Sequence, residues 1–600
     1  MNARCFGFVI ASGVSLTVSR AWADPATAAK ARDILTRNCG QCHIKDSDGG
    51  IDYMNDLAKL VKEGKVTPGD PAKTKVLLRI ASEKKPMPPT GETPRPNKDE
   101  IDLLTKWVRE GAEAAPAEAP PAIVRKSVSL EQTYAAARNY LDGVYPEHYQ
   151  YQRFFTLAHL HNDLKGTKDD DLRLIRAAVS KVLNSLSWKR RIVIPQIVAG
   201  TEETLLAIDL RDIDWDYNEQ FGGDLWRVLL KRYPYGLKHD RFPQNPNLNR
   251  LADQVYKMTY TQVPIIRADW FVARASQPPL YHDLLGIPET SIPLEKRLLG
   301  TTIRANFARD KLLRAGWAKS GVSSQNRMVE RHEGFYGAFW KSYDFKDEEG
   351  KGNLKNFPLG PQSIFRADKD PLDRYARFAF KHDGGEIIFH LPNGLQGYML
   401  VNGQDGRIDI GPAEVVKDKQ EWAGKGTQII NGLSCMACHA EGMIRHPTGD
   451  EIAEARSVGG EALDKVRRIY RPKDELDKAM ARDSELFVSS VARATGPYLQ
   501  LGNDAKKPIT AFAEPVGYVA KRYLSMYLRA EDAAIELDVP TANVLAAVRN
   551  NADLAAIGLR TWATPNGRVS RGQWDECKAS LSAFQTVARE MELGDAVIIR

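Results

Sequence analysis

Apolar residues recur at helical spacing along most of this chain, and the period shortens clearly in one region only. Thr27–Asn38 and Asp99–Glu110 each read as an amphipathic helix, the second with Ile101, Leu103, Leu104, Trp107 and Val108 on its apolar side. Leu130–Leu141, Arg153–Leu164 and Asp170–Leu186 repeat the helical pattern. So do Asp474–Met480, Val516–Ala530 and Thr541–Asn550, and Gly567–Trp574 opens a final predicted helix that takes in Cys577. The exception is Glu386–Leu391 and Gln396–Val401, two short apolar runs around Pro392-Asn393-Gly394. They predict a β-hairpin. Asn402-Gly403 and Asp405-Gly406 then turn into a third strand, Arg407–Ile410, beside the wall of whatever the following residues build.

These elements predict a mainly α, multidomain chain. An all-α first domain spans residues 24–111, and a Pro/Ala/Glu-rich linker covers 112–122. A large α+β middle region with the β-meander follows over 123–425, and a helical C-terminal domain over 426–600. A length of 600 residues calls for more than one hydrophobic core. Residues 1–23 read as a cleaved export signal. Arg4 gives the basic start, Cys5–Val18 is a short apolar run, and Ala21-Trp22-Ala23 precedes Asp24 as a small-x-small site. No later apolar run is long enough to span a bilayer, so no transmembrane segment is expected in the mature chain.

Composition adds little. With 43% apolar and 27% charged residues the chain is of ordinary globular type. A formal charge of +7 without any Lys/Arg-dense stripe gives no reason to expect nucleic acid. There is no G-x-S-x-G, G-x-G-x-x-G or Walker lysine motif.

Cysteine placement changes the picture. Of six cysteines, four fall in Cys39-Gly40-Gln41-Cys42-His43 and Cys435-Met436-Ala437-Cys438-His439. An exported chain ordinarily uses its cysteines for disulfides. Here they come in pairs, each followed at once by histidine. Covalent haem needs two thiols spaced to meet two vinyl groups, and then an imidazole that reaches the iron; Cys-x-x-Cys-His supplies both within one helical turn. A thioredoxin-like pair has no need of the adjacent histidine, and a zinc site needs a fourth ligand at matched spacing. Two covalently held haem c groups are therefore expected, with His43 and His439 as axial iron ligands. For the first, Lys85-Pro86-Met87-Pro88-Pro89 holds a methionine in a loop stiffened by proline, which makes Met87 the sixth ligand. Met54 competes from a helical-looking stretch.

The order helix, haem motif, methionine loop and closing helix is that of a small class I cytochrome c. With Met87-Pro88-Pro89-Thr90-Gly91 and the Leu103-Leu104-x-x-Trp107-Val108-x-x-Gly111-Ala112 helix, the first domain resembles the planctomycete-type cytochrome c modules. The resemblance implies an all-α fold with His43 and Met87 as the axial pair. The remainder resembles a family of large exported bacterial c-type cytochrome proteins. The likeness is carried by Ala268-Asp269-Trp270-Phe271-Val272, Pro278-Pro279-Leu280-Tyr281-His282-Asp283, Leu391–Tyr398 and Asn431–His439. It implies haem binding and electron transfer and names no substrate.

The second haem motif has no methionine in a proline loop. Met443 is too close after His439 to reach the opposite face. His382, beside the β-meander, is the candidate sixth ligand, with His390, Met480 and Met526 as alternatives; an open sixth position is a further one. Tyr281-His282-Asp283 reads as a hydrogen-bonding cluster. His159 and His161 point to different sides of one helix and make a poor metal pair. Two functions follow. One is a periplasmic or otherwise exported di-haem electron carrier that exchanges electrons with a redox partner protein or a small-molecule donor or acceptor. The other is a haem-dependent oxidoreductase of peroxidase or oxygenase type, whose open second haem is the catalytic centre.

Overall fold

In the computed structural model the described residues are 25–43, 51–88, 95–112, 123–239, 245–318, 325–345, 354–365, 371–412, 416–418, 420–445, 450–451, 458–578 and 581–599. The stretch expected to be an export signal (1–23) and nearly all of the expected linker (112–122) lie outside them. The chain divides into two compact units, Met1–Ile123 and Val124–Arg600.

In the first unit four helices surround a small core: α1 (Pro25–His43), α2 (Leu57–Lys62), α3 (Lys75–Ile80) and α4 (Lys98–Arg109). Ala28, Ala31, Ile34 and Leu35 of α1 meet Leu104, Trp107 and Val108 of α4. The start of α4 is fixed by a capping box, in which Asn97 and Glu100 satisfy each other's backbone N–H groups. Arg37 of α1 also bonds Glu100, tying the two helices at their ends.

The second unit departs from the expected architecture. The chain as a whole is mixed α/β, about 49% helix and 15% strand, and a mainly α chain with a helical C-terminal haem domain is not what it forms. Strands β1 (Gln152–Thr156), β2 (Gln196–Ile197), β3 (Leu205–Asp209) and β5 (Ile265–Arg267) make one sheet, in the order β2-β3-β1-β5; β4 (Leu237–Lys238) pairs with Asp595–Ala596 instead. The helix expected over Arg153–Leu164 is thus strand β1 followed by the short helix Ala158–Asn162. The cause is tertiary. Phe154 and Phe155, adjacent in sequence, are both fully buried, because β1 lies between β3 and β5 with packing on both faces.

The larger sheet has six antiparallel strands in the order β11-β10-β9-β8-β7-β6. They are β6 (Leu313–Trp317), β7 (Asn326–Gly334), β8 (Gly337–Phe345), β9 (Gly384–His390), β10 (Gln396–Asn402) and β11 (Arg407–Ile408). The last three are the meander read from the sequence. Strands β7 and β8 escaped that reading because they carry charge on both faces. Arg327 and Asp344 lie on one face, Glu330 and Lys341 on the other, and all four are paired: Arg327 with Asp344, Arg314 with Glu330, Lys341 with Asp405. The core under the second face holds Met328, Phe339, Tyr343 and Ile387, all buried.

Beyond the second Cys-x-x-Cys-His motif the described residues form helices interspersed with short strands, and the 27-residue helix Lys473–Leu499 is the longest element. Cys577 is not in a helix. It lies exposed on the short strand Cys577–Lys578, paired with Leu581–Ser582. Among the described residues no helix is long and apolar enough to cross a membrane.

Candidate functional site

The second motif begins on a tight approach. Gly432 has φ +79°, and a Cβ there would fall 2.5 Å from the Ser276 carbonyl and 2.8 Å from the Tyr281 ring. Only glycine fits both demands. From it starts the six-residue helix Leu433–Cys438, with His439 just past its end. The Tyr281-His282-Asp283 cluster holds this approach in place. Tyr281 Oη accepts from the Tyr398 N–H of β10 (2.8 Å), and Asn431 Nδ2 donates to His282 Nε2 (2.6 Å). Burial, with Arg407 nearby, pushes His282 down to about 3, so it is neutral and able to accept.

Cys435, Cys438 and His439 line a cavity of about 660 Å³, a size suited to a cofactor. Its opposite wall is one face of the six-stranded sheet. Side chains alternate across a pleated strand, so alternate positions of each strand point inward: Arg327 and Val329, Trp340, Ser342 and Asp344, Glu386 and Ile388, then Leu400. Cross-strand register sets Trp340 beside Ile388 and Glu386 beside Leu400. Met480, on the long helix, and Met443 are also in the lining. Trp340 Nε1 donates to Asp483 of that helix (2.9 Å), and Arg331 grips the same carboxylate with two bonds (2.8 and 2.9 Å), which docks the helix onto the sheet.

His439 is oriented. Its Nδ1 lies 2.9 Å from the Gly442 carbonyl, which fixes the Nδ1–H tautomer and leaves Nε2 for another partner. That nitrogen faces Glu386 Oε2 across 3.7 Å. Burial would lower the His439 pKa, but Glu386 outweighs it and the net direction is up. Burial would likewise raise Glu386; bonds from His439 and Cys435, with the charge of Arg327, hold it below the usual carboxylate range. The Cys435 thiol is buried and pushed well up, first by burial and then by Glu386. Cys438 is exposed, with Sγ 3.7 Å from Asp418 Oδ1.

The donor set fits a covalently attached haem: two thiols one helical turn apart, an imidazole with its Nε2 free of hydrogen bonds to the backbone, and a roomy, largely apolar space before them. Among the described residues no group of three or more His, Cys, Asp or Glu is placed to hold a bare metal ion.

The structure does not bring His382 to His439. Its ring packs edge-on against Tyr343 at 5.3 Å, on the sheet face turned away from the cavity, and its Nε2 stands 3.7 Å from Asp405. His390 is committed too, with Nδ1 accepting from Ala338 N–H (3.0 Å) and Nε2 3.1 Å from the Asp483 carbonyl. Met526 Sδ accepts from Arg571 (2.8 Å). Of the sixth-ligand alternatives only Met480 is in the cavity wall, where Met443, set aside on sequence grounds, joins it. Glu386 was missed. It was read as a strand residue, although a charged residue opening an otherwise apolar run is a signal that the run has one polar-facing side.

In the first unit α1 runs without a break through Cys39 to His43. Cys39 is buried, and His43 Nδ1 is buried with no hydrogen-bond partner among the described residues. The side chain of Cys42 lies outside what is described. Met87 is in the loop after α3, its N–H bonded to the Arg79 carbonyl (3.0 Å) and its side chain 37% exposed. Met54 is in a turn ahead of α2, not in a helix; it is 7% exposed, and its N–H donates to the His43 carbonyl (3.0 Å). His159 and His161 do diverge: the first bonds Asp269, the second the Lys126 carbonyl. No protein-family profile, curated protein or solved structure matches the chain.

Proposed function

We propose that this chain is an exported c-type cytochrome that carries two covalent haems and transfers electrons. The observation that supports it most is the pose of His439. Its Nδ1 is tied to the Gly442 carbonyl and its Nε2 is turned into a cavity whose rim carries both thiols of the motif. Cys435 and Cys438 would hold the group by thioether bonds, with His439 as one axial ligand. In the first unit Cys39, Cys42 and His43 would do the same, with Met87 as second axial ligand. When bound, haem supplies one-electron exchange at a potential set by its axial ligands and the dielectric around it. The protein's own part is to exclude water, with Trp340, Ile388 and Leu400, and to orient the imidazole through Gly442.

A second reading, a haem-dependent oxidoreductase with an open second iron, draws on a different observation. The group that faces His439 Nε2 is a carboxylate rather than a methionine or histidine. A reduced-plus-CO minus reduced spectrum of the purified holoprotein, scaled to covalent haem, separates the two. CO at half of the haem means one iron open to ligands; no CO change means two closed irons and a pure carrier. Absence of covalent haem would end both readings.

A further inference from the structure

Glu386 faces the Nε2 of His439 across 3.7 Å, and the buried thiol of Cys435 lines the same cavity. These are two of the atoms that covalent haem attachment consumes. Attachment would add the Cys435 S–H across a haem vinyl group to give a thioether and would commit Nε2 to iron, leaving the carboxylate without either neighbour and beside the metal. The spacing agrees. Nitrogen and oxygen ligands stand roughly 2 Å from a first-row metal ion, and with Oε2 3.7 Å from Nε2 both are within reach of one iron. Strand geometry holds Glu386 there, at the inward position of β9 between Ser342 of β8 and Leu400 of β10, with the Ser342 hydroxyl bonded to its N–H (2.9 Å). Arg327, a cation of the same cavity, is occupied by a two-pronged bond to Asp344 (2.8 Å each).

Resting on the haem reading above, we propose that Glu386 is the sixth ligand of the second haem in its ferric state and leaves the iron when a redox partner protein donates one electron to it. A carboxylate is a hard, anionic donor. It favours the more highly charged ferric ion and binds the ferrous ion weakly, whereas thioether sulfur does the reverse. The second site is then a low-potential haem that takes up neutral ligands such as CO only when reduced, while an anion must compete with Glu386 for the ferric form, opposite in character to a methionine-ligated first haem. Met480 and Met443 remain as apolar lining.

The test uses full-length, haem-loaded protein. Covalent haem is counted first in wild type and in E386Q, by pyridine haemochrome and intact mass. The wild-type ferric protein is expected to give a high-spin signal from one haem per chain, displaced by azide. In E386Q one midpoint potential rises and the other stays fixed, and azide affinity of the ferric protein increases on the order of tenfold, because the anion no longer competes with a buried charge. In M480L both potentials stay at wild-type values. If E386Q carries two haems and neither the potentials nor azide binding change, or if M480L shifts the second haem's spectrum, the inference falls while the haem reading stands. If E386Q attaches a single haem, the wild-type spectrum decides: a methionine- or bis-histidine-type low-spin second haem overturns the proposal, and an azide-displaceable high-spin one upholds it. Unmodified Cys435 and Cys438 in wild type would overturn the haem reading itself.

Discussion

The same five-residue motif sits in two unlike frames. Cys39–His43 closes a 19-residue helix in a small helical unit whose core is built from the neighbouring turns of α1 and α4. Cys435–His439 occupies a six-residue helix that could not stand alone, held between a six-stranded sheet and the Tyr281 cluster. A short helix gains little from its own hydrogen bonds, so its place depends on tertiary contacts. The first site therefore depends on local sequence. The second depends on residues far along the chain, and what those residues present to the histidine is a carboxylate.

Breaking the far wall of the second site gives the largest effect. Arg314 and Glu330 pair with both side chains fully buried. Arg314→Met strands a buried carboxylate and is expected to cost about 3–5 kcal/mol in the second unit. Denaturant unfolding followed by tryptophan fluorescence checks this, and the first unit's transition should not move. Next comes acid. Burial alone would raise Glu330, but Arg314, His332 and Tyr343 outweigh it and hold it at about 2, against an ordinary value of 4.5. A depressed carboxylate contributes stability that is fully present above its unfolded value and is lost as pH falls through its folded one. The second unit should therefore weaken between about pH 4.5 and pH 2, and E330Q should flatten that limb of the pH–stability curve. Gly432→Ala is expected to cost roughly 1–3 kcal/mol through its strained φ and to lower covalent haem at the second motif while sparing the first, read by haem-stained peptides. The smallest effect on stability is at Met87. Being partly exposed, its replacement by alanine should change unfolding by no more than about 0.5 kcal/mol, yet shift the first haem's spectrum and lower its potential. An unchanged spectrum would pass the role to Met54.

This contrast also explains what the sequence disclosed. The first unit was legible because each part of it is local: α1, the capped α4 and the methionine loop all lie within one short stretch, and periodicity reports such elements well. The β9–β10 hairpin was legible from its turn and its short apolar runs. Strands β7 and β8 were not, since two buried faces with paired charges erase the alternation that marks a half-buried strand. Phe154 and Phe155 misled for a related reason, because a strand covered on both sides shows no period. His382 was favoured by its nearness to the meander, but it lies in the irregular backbone just ahead of β9, and its ring packs against Tyr343 instead of entering the cavity. Glu386 became visible only once register set it across from His439.

The central claim is that the second motif, in its sheet-walled cavity, carries haem. Mass analysis of the proteolytic peptide containing Cys435–His439, from protein matured with a c-type haem attachment system, tests it most directly. The account predicts that peptide with one haem on two thioether bonds, and a C435S/C438S variant that keeps only the haem at Cys39 and Cys42. A second-motif peptide with both thiols free, in protein whose first motif is fully loaded, would contradict it.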